Sequence, residues 1–131
     1  MKNLAVILFV FVFGAVQGVQ SEEKTYEIDS KHTFPTFEAD HMGGLSLWRG
    51  KINRTSGKVI VDFETKAGFV DIVMDMSSID FGLTEMNDHA KSEDMFDIER
   101  FPSATYVGKL IFEGDEPVAV SGDLSLHGVT K

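Results

Sequence analysis

Apolar and polar residues alternate along most of this chain. Val59, Val61 and Phe63 in "GKVIVDF" share one parity against Ile60 and Asp62, and Val70, Ile72, Met74 and Met76 in "GFVDIVMDM" share one against Asp71 and Asp75. Successive side chains of a strand point to opposite faces, so this period of two predicts strands with one buried and one wet face. The same period marks "KTYEID" around Tyr26 and Ile28, "SATYVGKLIFEG", and "EPVAVSGDLSL" with Val118, Val120, Leu124 and Leu126. In "LSLWRGKIN" the residues Ser46, Trp48, Gly50 and Ile52 fall on one face, after a turn at Met42-Gly43-Gly44. "HTFPTFEADH" from His32 to His41 carries Phe34 and Phe37 on opposite parities, and Pro35 between them predicts an edge or bulge that brings both rings inward.

The period breaks once, from Thr84 to Pro102. There Met86, His89 or Ala90, Met95 and Phe96 recur at spacings near three and four, and Ser92 ahead of Glu93 and Asp94 predicts the N-cap and acidic first turn of a short helix. Seven predicted strands and one helical segment, closely spaced, predict an all-β sandwich or antiparallel barrel.

Charge and composition narrow the functions. A net charge of -9 with no Lys/Arg stripe argues against nucleic acid and against an anionic membrane surface as partners. Eleven phenylalanines against two tyrosines and one tryptophan supply rings without a polar handle, which suits a large dry interior or an apolar pocket. Met1-Lys2-Asn3, the apolar run Leu4 to Val16 and the small residues before Ser21 read as a secretory signal over residues 1–21, leaving a mature domain over 22–131. With no cysteine, an exported chain of this kind relies on its packed core.

No catalytic or metal signature stands out. His32, His41, His89 and His127 are scattered without an HExxH spacing, and there is no GxSxG elbow, so the expectation is a non-enzyme with no metal and no cofactor.

Four stretches in order, "YEIDSKHTFPTFEADHMG", "LWRGKINRTSGKVIVD", "HAKSEDMFDIERFPSATY" and "SGDLSLHGVTK", resemble the YceI-like family of secreted polyisoprenoid-binding proteins. The resemblance implies a lipocalin-like antiparallel β-barrel in the bacterial periplasm that binds, transports or stores an isoprenoid lipid, a polyprenyl chain or quinone tail, in an apolar tunnel. It also implies further strands beyond Lys131 that close the barrel. Without them the strand around Tyr26 loses a neighbour, and instability, a homodimer or loss of lipid retention become the expected outcomes.

The candidate lining is Phe34, Phe37, Trp48, Ile52, Phe63, Ile72, Met74 and Tyr106, with Met95 and Phe96 over one end. His41, Arg49 and His89 are the head-group candidates. Each lining candidate also fits as an ordinary core residue, because alternation identifies a buried face and does not separate a filled barrel from a hollow one. The other reading left open is a stress-related periplasmic interaction protein whose barrel is packed solid and holds no lipid.

Overall fold

The computed structural model describes residues 22–131, so the expected signal segment over 1–21 lies outside the described residues. Nine strands and one α-helix follow in order: β1 (Glu23–Glu27), β2 (Thr36–His41), β3 (Ser46–Ile52), β4 (Thr55–Asp62), β5 (Ala67–Asp75), β6 (Ile79–Asp80), α1 (Thr84–Lys91), β7 (Ser103–Glu113), β8 (Glu116–Leu126) and β9 (Val129–Thr130). The all-β architecture with one helical segment is therefore present.

All pairings are antiparallel, and the strands divide between two sheets. A six-stranded sheet runs β1-β4-β5-β7-β8-β9, and a three-stranded one runs β2-β3-β6. Among the described residues these sheets do not close into one hydrogen-bonded ring: β1 and β9 end the larger, β2 and β6 the smaller. The chain crosses between them at Asn53 and Arg54, where the Ile52 N–H bonds to the Pro35 carbonyl (2.8 Å) and the Asn53 N–H to the Ser78 carbonyl (3.1 Å).

Register turns the alternation into two facing apolar walls. In the small sheet Phe37 opposes Gly50, Ala39 opposes Trp48 and His41 opposes Ser46. That pairing sets Phe37, Trp48 and Ile52 on one side and the Glu38–Arg49 pair on the other. In the large sheet Thr55 opposes Met74, Met74 opposes Ala104, and Tyr106 lies between Ile72 and Leu124. Gly108 and Gly122 face each other across β7 and β8. A Cβ on Gly122 would strike the Val107 carbonyl and the Gly108 Cα, so the strands approach backbone to backbone there.

The core sits where the walls meet at one end. Ile52, Met76, Ile79, Ala90 and Ala104 are buried together, with Phe37, Met74, Phe81, Met95, Phe96, Ile98 and Leu126 packed around them. Ile79, only 2% exposed, is the most deeply seated large side chain, and burial of that kind stabilises by about 1.5–3 kcal/mol. Two polar knots hold the surrounding backbone. Asp75 accepts from the Ser77 N–H (2.9 Å) and hydroxyl (2.6 Å) and from Arg54 Nε (2.9 Å), which fixes the turn Met76–Ser78. Asp80 accepts from the Gly82 N–H (2.8 Å) and Asn87 Nδ2 (3.1 Å), while Asn87 Oδ1 accepts from the Phe81 N–H (2.7 Å), tying α1 to β6.

The helix falls earlier than the sequence predicts. Ser92 ends α1 instead of starting a helix: its N–H and hydroxyl both bond back to the His89 carbonyl, at 3.1 and 2.7 Å. Glu93 and Asp94 lie in the turn beyond, and that turn returns Phe96 to the helix through its N–H on the Ala90 carbonyl (3.0 Å). The Asn87 and Asp80 side chains position the first turn, a tertiary signal that no local cap shows.

Candidate functional site

A cavity of about 670 Å³ opens between the small sheet, α1 with its following turn, and the ends of the long strands. Its small-sheet wall is Phe37, Trp48 and Ile52. Its large-sheet wall is Met74, Ala104, Leu124 and Leu126, and Met76 just past β5, Phe81, Met86, Met95 and Phe96 complete the enclosure. The volume lies in the range of sites that enclose small ligands.

The aromatic groups support one another edge to face. Phe37 meets Phe81 at 5.4 Å between centroids and 87°, and Phe96 at 6.4 Å and 76°. Trp48 meets Phe81 at 6.1 Å and 75°, and the His41 ring stands against Trp48 at 5.3 Å. Such contacts hold rings in place more firmly than contact area alone. The rest of the wall is the opposite in character: four of the chain's six methionines, Met74, Met76, Met86 and Met95, line the cavity. Unbranched thioethers repack around irregular apolar shapes, so the wall combines fixed rings with deformable side chains.

Because β2 ends its sheet, residues of both its faces border the opening. Ala39 and His41 come from the inner face, Thr36, Glu38 and Asp40 from the outer. His41 Nδ1 pairs with the Ser46 hydroxyl at 2.9 Å, and His89 reaches the lining from α1. Asp40 Oδ1 accepts from the Gly44 N–H at 2.6 Å, a bond that fixes the Met42-Gly43-Gly44 turn.

The structure brings together most of the expected site. Phe37, Trp48, Ile52, Met74, Met95, Phe96, His41 and His89 all line the cavity. Phe34 does not: it precedes β2, is 45% exposed, and stands under the Lys51 ammonium at 5.6 Å, so Pro35 does not turn both rings inward. Phe63 lies past the end of β4, 42% exposed and against Phe112 at 6.3 Å. Ile72 and Tyr106 occupy the inward face one row beyond Met74 and Ala104, outside the lining, and the Tyr106 hydroxyl donates to the Val120 carbonyl at 3.4 Å. Arg49 lies on the outer face, its Nε donating to Glu38 at 2.7 Å.

Several lining residues carried a weaker signal. Met76, Leu124 and Leu126 belong to apolar alternations read from the sequence, and Met86 to the helical spacing. Phe81 sits in a stretch with no period, and only the β3–β6 pairing places it beside Phe37. Among the described residues no group of three or more His, Asp or Glu side chains is arranged to hold a metal ion.

Comparisons with known proteins agree with this fold. The sequence profile of the YceI-like domain matches residues 26–131. A UPF0312 protein of Vibrio vulnificus (strain YJ016) is 37% identical over 110 residues, covering 81% of this chain and 58% of its own length. The chain thus spans under two thirds of that relative. Among solved structures, Burkholderia cenocepacia BcnA superposes with a TM-score of 0.61 at 22% identity, over 83% of this chain and 62% of its own. A domain from Saccharophagus degradans described as polyisoprenoid-binding gives 0.50 at 22% identity, over 82% and 57%.

Proposed function

Because the chain belongs to the YceI-like family, we propose that its cavity holds an isoprenoid chain, a polyprenyl lipid or quinone tail, which the protein carries or stores in the periplasm without changing a bond. The observation that carries this reading is the cavity itself: about 670 Å³ bounded by edge-to-face rings and by four methionines. A branched, flexible hydrocarbon needs a wall that adapts to it. The description of the Saccharophagus domain as polyisoprenoid-binding points the same way. A solid-packed domain that meets only other proteins has no use for such a space. His41 and His89 at the lining supply hydrogen-bonding groups for a head group.

Binding follows from burial. At about 0.3 kcal/mol per heavy atom, a five-carbon unit adds about 1.5 kcal/mol, roughly tenfold in Kd. At roughly 30 Å³ per heavy atom, the share of a water molecule in the liquid, about 670 Å³ holds some twenty atoms, or about four isoprene units. Trp48 is the single tryptophan and lines the cavity, so its fluorescence reports occupancy. Titration with geraniol, farnesol, geranylgeraniol and a longer prenol should show affinity climbing with each unit and then levelling off. An affinity independent of tail length, or an unresponsive Trp48, refutes the reading. Trp48→Asp should abolish retention while far-UV circular dichroism still reports β-structure. The periplasmic address rests on the signal read over residues 1–21; a mature N-terminus between Gly18 and Ser21 supports it, and an intact Met1 on protein from the membrane fraction opposes it.

A further inference from the structure

The sulfur of this chain gathers at the cavity. There is no cysteine, so an oxidant that attacks sulfur has only thioethers to take. Among the described residues Met42 stands apart, 72% exposed in the turn between β2 and β3, whereas Met74, Met76, Met86 and Met95 all line the cavity. The four are not equally open. Met76 is 4% exposed within the buried cluster, and Met74 packs against that cluster opposite Ala104. Met86 and Met95 lie instead on the helical segment, half-buried, Met86 on α1 and Met95 in the turn that follows it. His89, also in the lining, comes three residues after Met86, and residues so spaced share a helix face, so Met86 has a polar neighbour at the opening.

Hydrogen peroxide is little larger than water, and an open cavity of about 670 Å³ admits it. The thioether lone pair attacks one peroxide oxygen: the S–O bond forms as the O–O bond breaks, and the departing hydroxide takes the proton of the transferred oxygen and leaves as water. Sulfur is oxidised and peroxide reduced by one electron pair. The product, methionine sulfoxide, exchanges a flexible apolar group for a polar one, and reductases reverse the change. In a wall made mostly of rings, aliphatic groups and thioethers, a ligand's hydrocarbon would then cover an oxygen that has lost its water. Burying such an oxygen without a partner weakens binding by about tenfold or more. We propose that Met86 and Met95 form a reversible oxidation site, through which peroxide loosens the cavity's hold on apolar ligands and a methionine sulfoxide reductase restores it. The proposal concerns the wall and applies to any apolar ligand, isoprenoid or other.

The test treats the purified protein with rising hydrogen peroxide, maps the added oxygen at each methionine by peptide mass spectrometry, and titrates N-phenylnaphthylamine, an uncharged apolar probe, and farnesol. Met42 should oxidise first, with probe affinity still within about twofold of the untreated protein. Affinity should then fall about tenfold or more as Met86 and Met95 oxidise, with far-UV circular dichroism unchanged, and should return after treatment with a methionine sulfoxide reductase. The Met86→Leu/Met95→Leu variant, measured against its own untreated affinity, should lose less than about twofold under the same treatment, since leucine replaces each thioether at similar volume. Met42→Leu should lose affinity as the wild type does. The proposal is overturned if Met86 and Met95 resist peroxide that fully oxidises Met42, if they oxidise without loss of affinity, if the double leucine variant loses as much as the wild type, or if β-structure disappears in step with binding. A probe that binds where farnesol does not refutes the isoprenoid reading and leaves the oxidation site standing. If the untreated protein takes neither, the cavity holds no apolar ligand and both fail.

Discussion

Replacing Gly50 by alanine should destabilise the protein, although the same change in most extended segments helps. Gly→Ala ordinarily stabilises by about 0.4–1 kcal/mol where the backbone accommodates it, because the unfolded chain loses freedom. Gly50 lies within β3 and is buried, with Phe37 directly opposite across the β2–β3 pair. A Cβ there would come within 2.5 Å of Phe37 Cζ and 3.0 Å of Cε2. The ring cannot yield cheaply, since it is held edge to face by Phe81 and Phe96. Each such contact contributes about 0.5–1.5 kcal/mol beyond area burial. Losing most of both, against the entropic gain, leaves a net destabilisation of about 1–2 kcal/mol. Urea unfolding should show a lower midpoint at unchanged slope. The decisive arm is the double-mutant cycle with Phe37→Leu, whose side chain lacks the atom that meets the new Cβ: in that background the penalty should fall below about 0.5 kcal/mol. A neutral or stabilising Gly50→Ala, or the same penalty with leucine at 37, would refute the seating of the Phe37 ring on Gly50.

Two further outcomes follow from single groups. Thr55 Oγ1 is buried in a residue 2% exposed and has no hydrogen-bond partner, so Thr55→Val, which keeps the shape and removes the unpaired hydroxyl, should be neutral or stabilising by up to about 1 kcal/mol in urea unfolding; a loss above that would show that the hydroxyl has a partner. The Ser77 hydroxyl, helped by Arg54 and the Ser77 N–H, holds the Asp75 carboxyl below the usual carboxylate range against the opposing effect of burial. A carboxyl lowered in the folded state stabilises above its unfolded value near 4, and loses that contribution as pH falls through the lowered folded value. Asp75→Asn should therefore be less stable than the wild type at pH 7, with the gap closing below about pH 4; a gap that does not change with pH would contradict the linkage.

The strands were legible because apolar and polar residues alternate along them. Each run that alternates in sequence, from "KTYEID" through "EPVAVSGDLSL", became a strand; the inner faces of β3, β4, β5 and β7 are at least partly buried, whereas β1 and most of β8 stay exposed on both faces. The parts that were not legible owe their structure to contacts distant in sequence. β6 is two residues, Ile79 and Asp80, and exists only as the partner of Lys51 and Ile52. β9 is likewise two residues, set by Ser125 and Leu126. The helix was displaced toward Thr84 because Asp80 and Asn87 fix its start and Ser92 closes its end. At the site, parity placed Trp48 and Ile52 inward, and the same parity places Arg49 outward, opposite Glu38. Phe34 fell outside because β2 begins only at Thr36, so alternation does not extend to it.

Parity also has a limit that the cavity exposes. Two inward faces with the same apolar pattern can meet as a filled core or stand apart around a space, and the difference lies in how far apart the elements are held. Here the filled and the hollow regions adjoin. Ile79, Ala90 and Ala104 pack against Ile52 and Met76 to make the solid end, and those same two residues then form part of the cavity wall. Ala104 occupies an inward position opposite Met74 and, as the smallest side chain of the large-sheet wall, fills little of the space beside it. The helix is tied to β6 by the Asp80–Asn87 knot, and its return turn is tied to the helix by the Phe96–Ala90 backbone bond. A small residue at an inward position and polar ties that fix where the helix sits set a hollow region apart from a filled core of the same apolar pattern. The methionines are then the part of the wall that can repack without moving those ties.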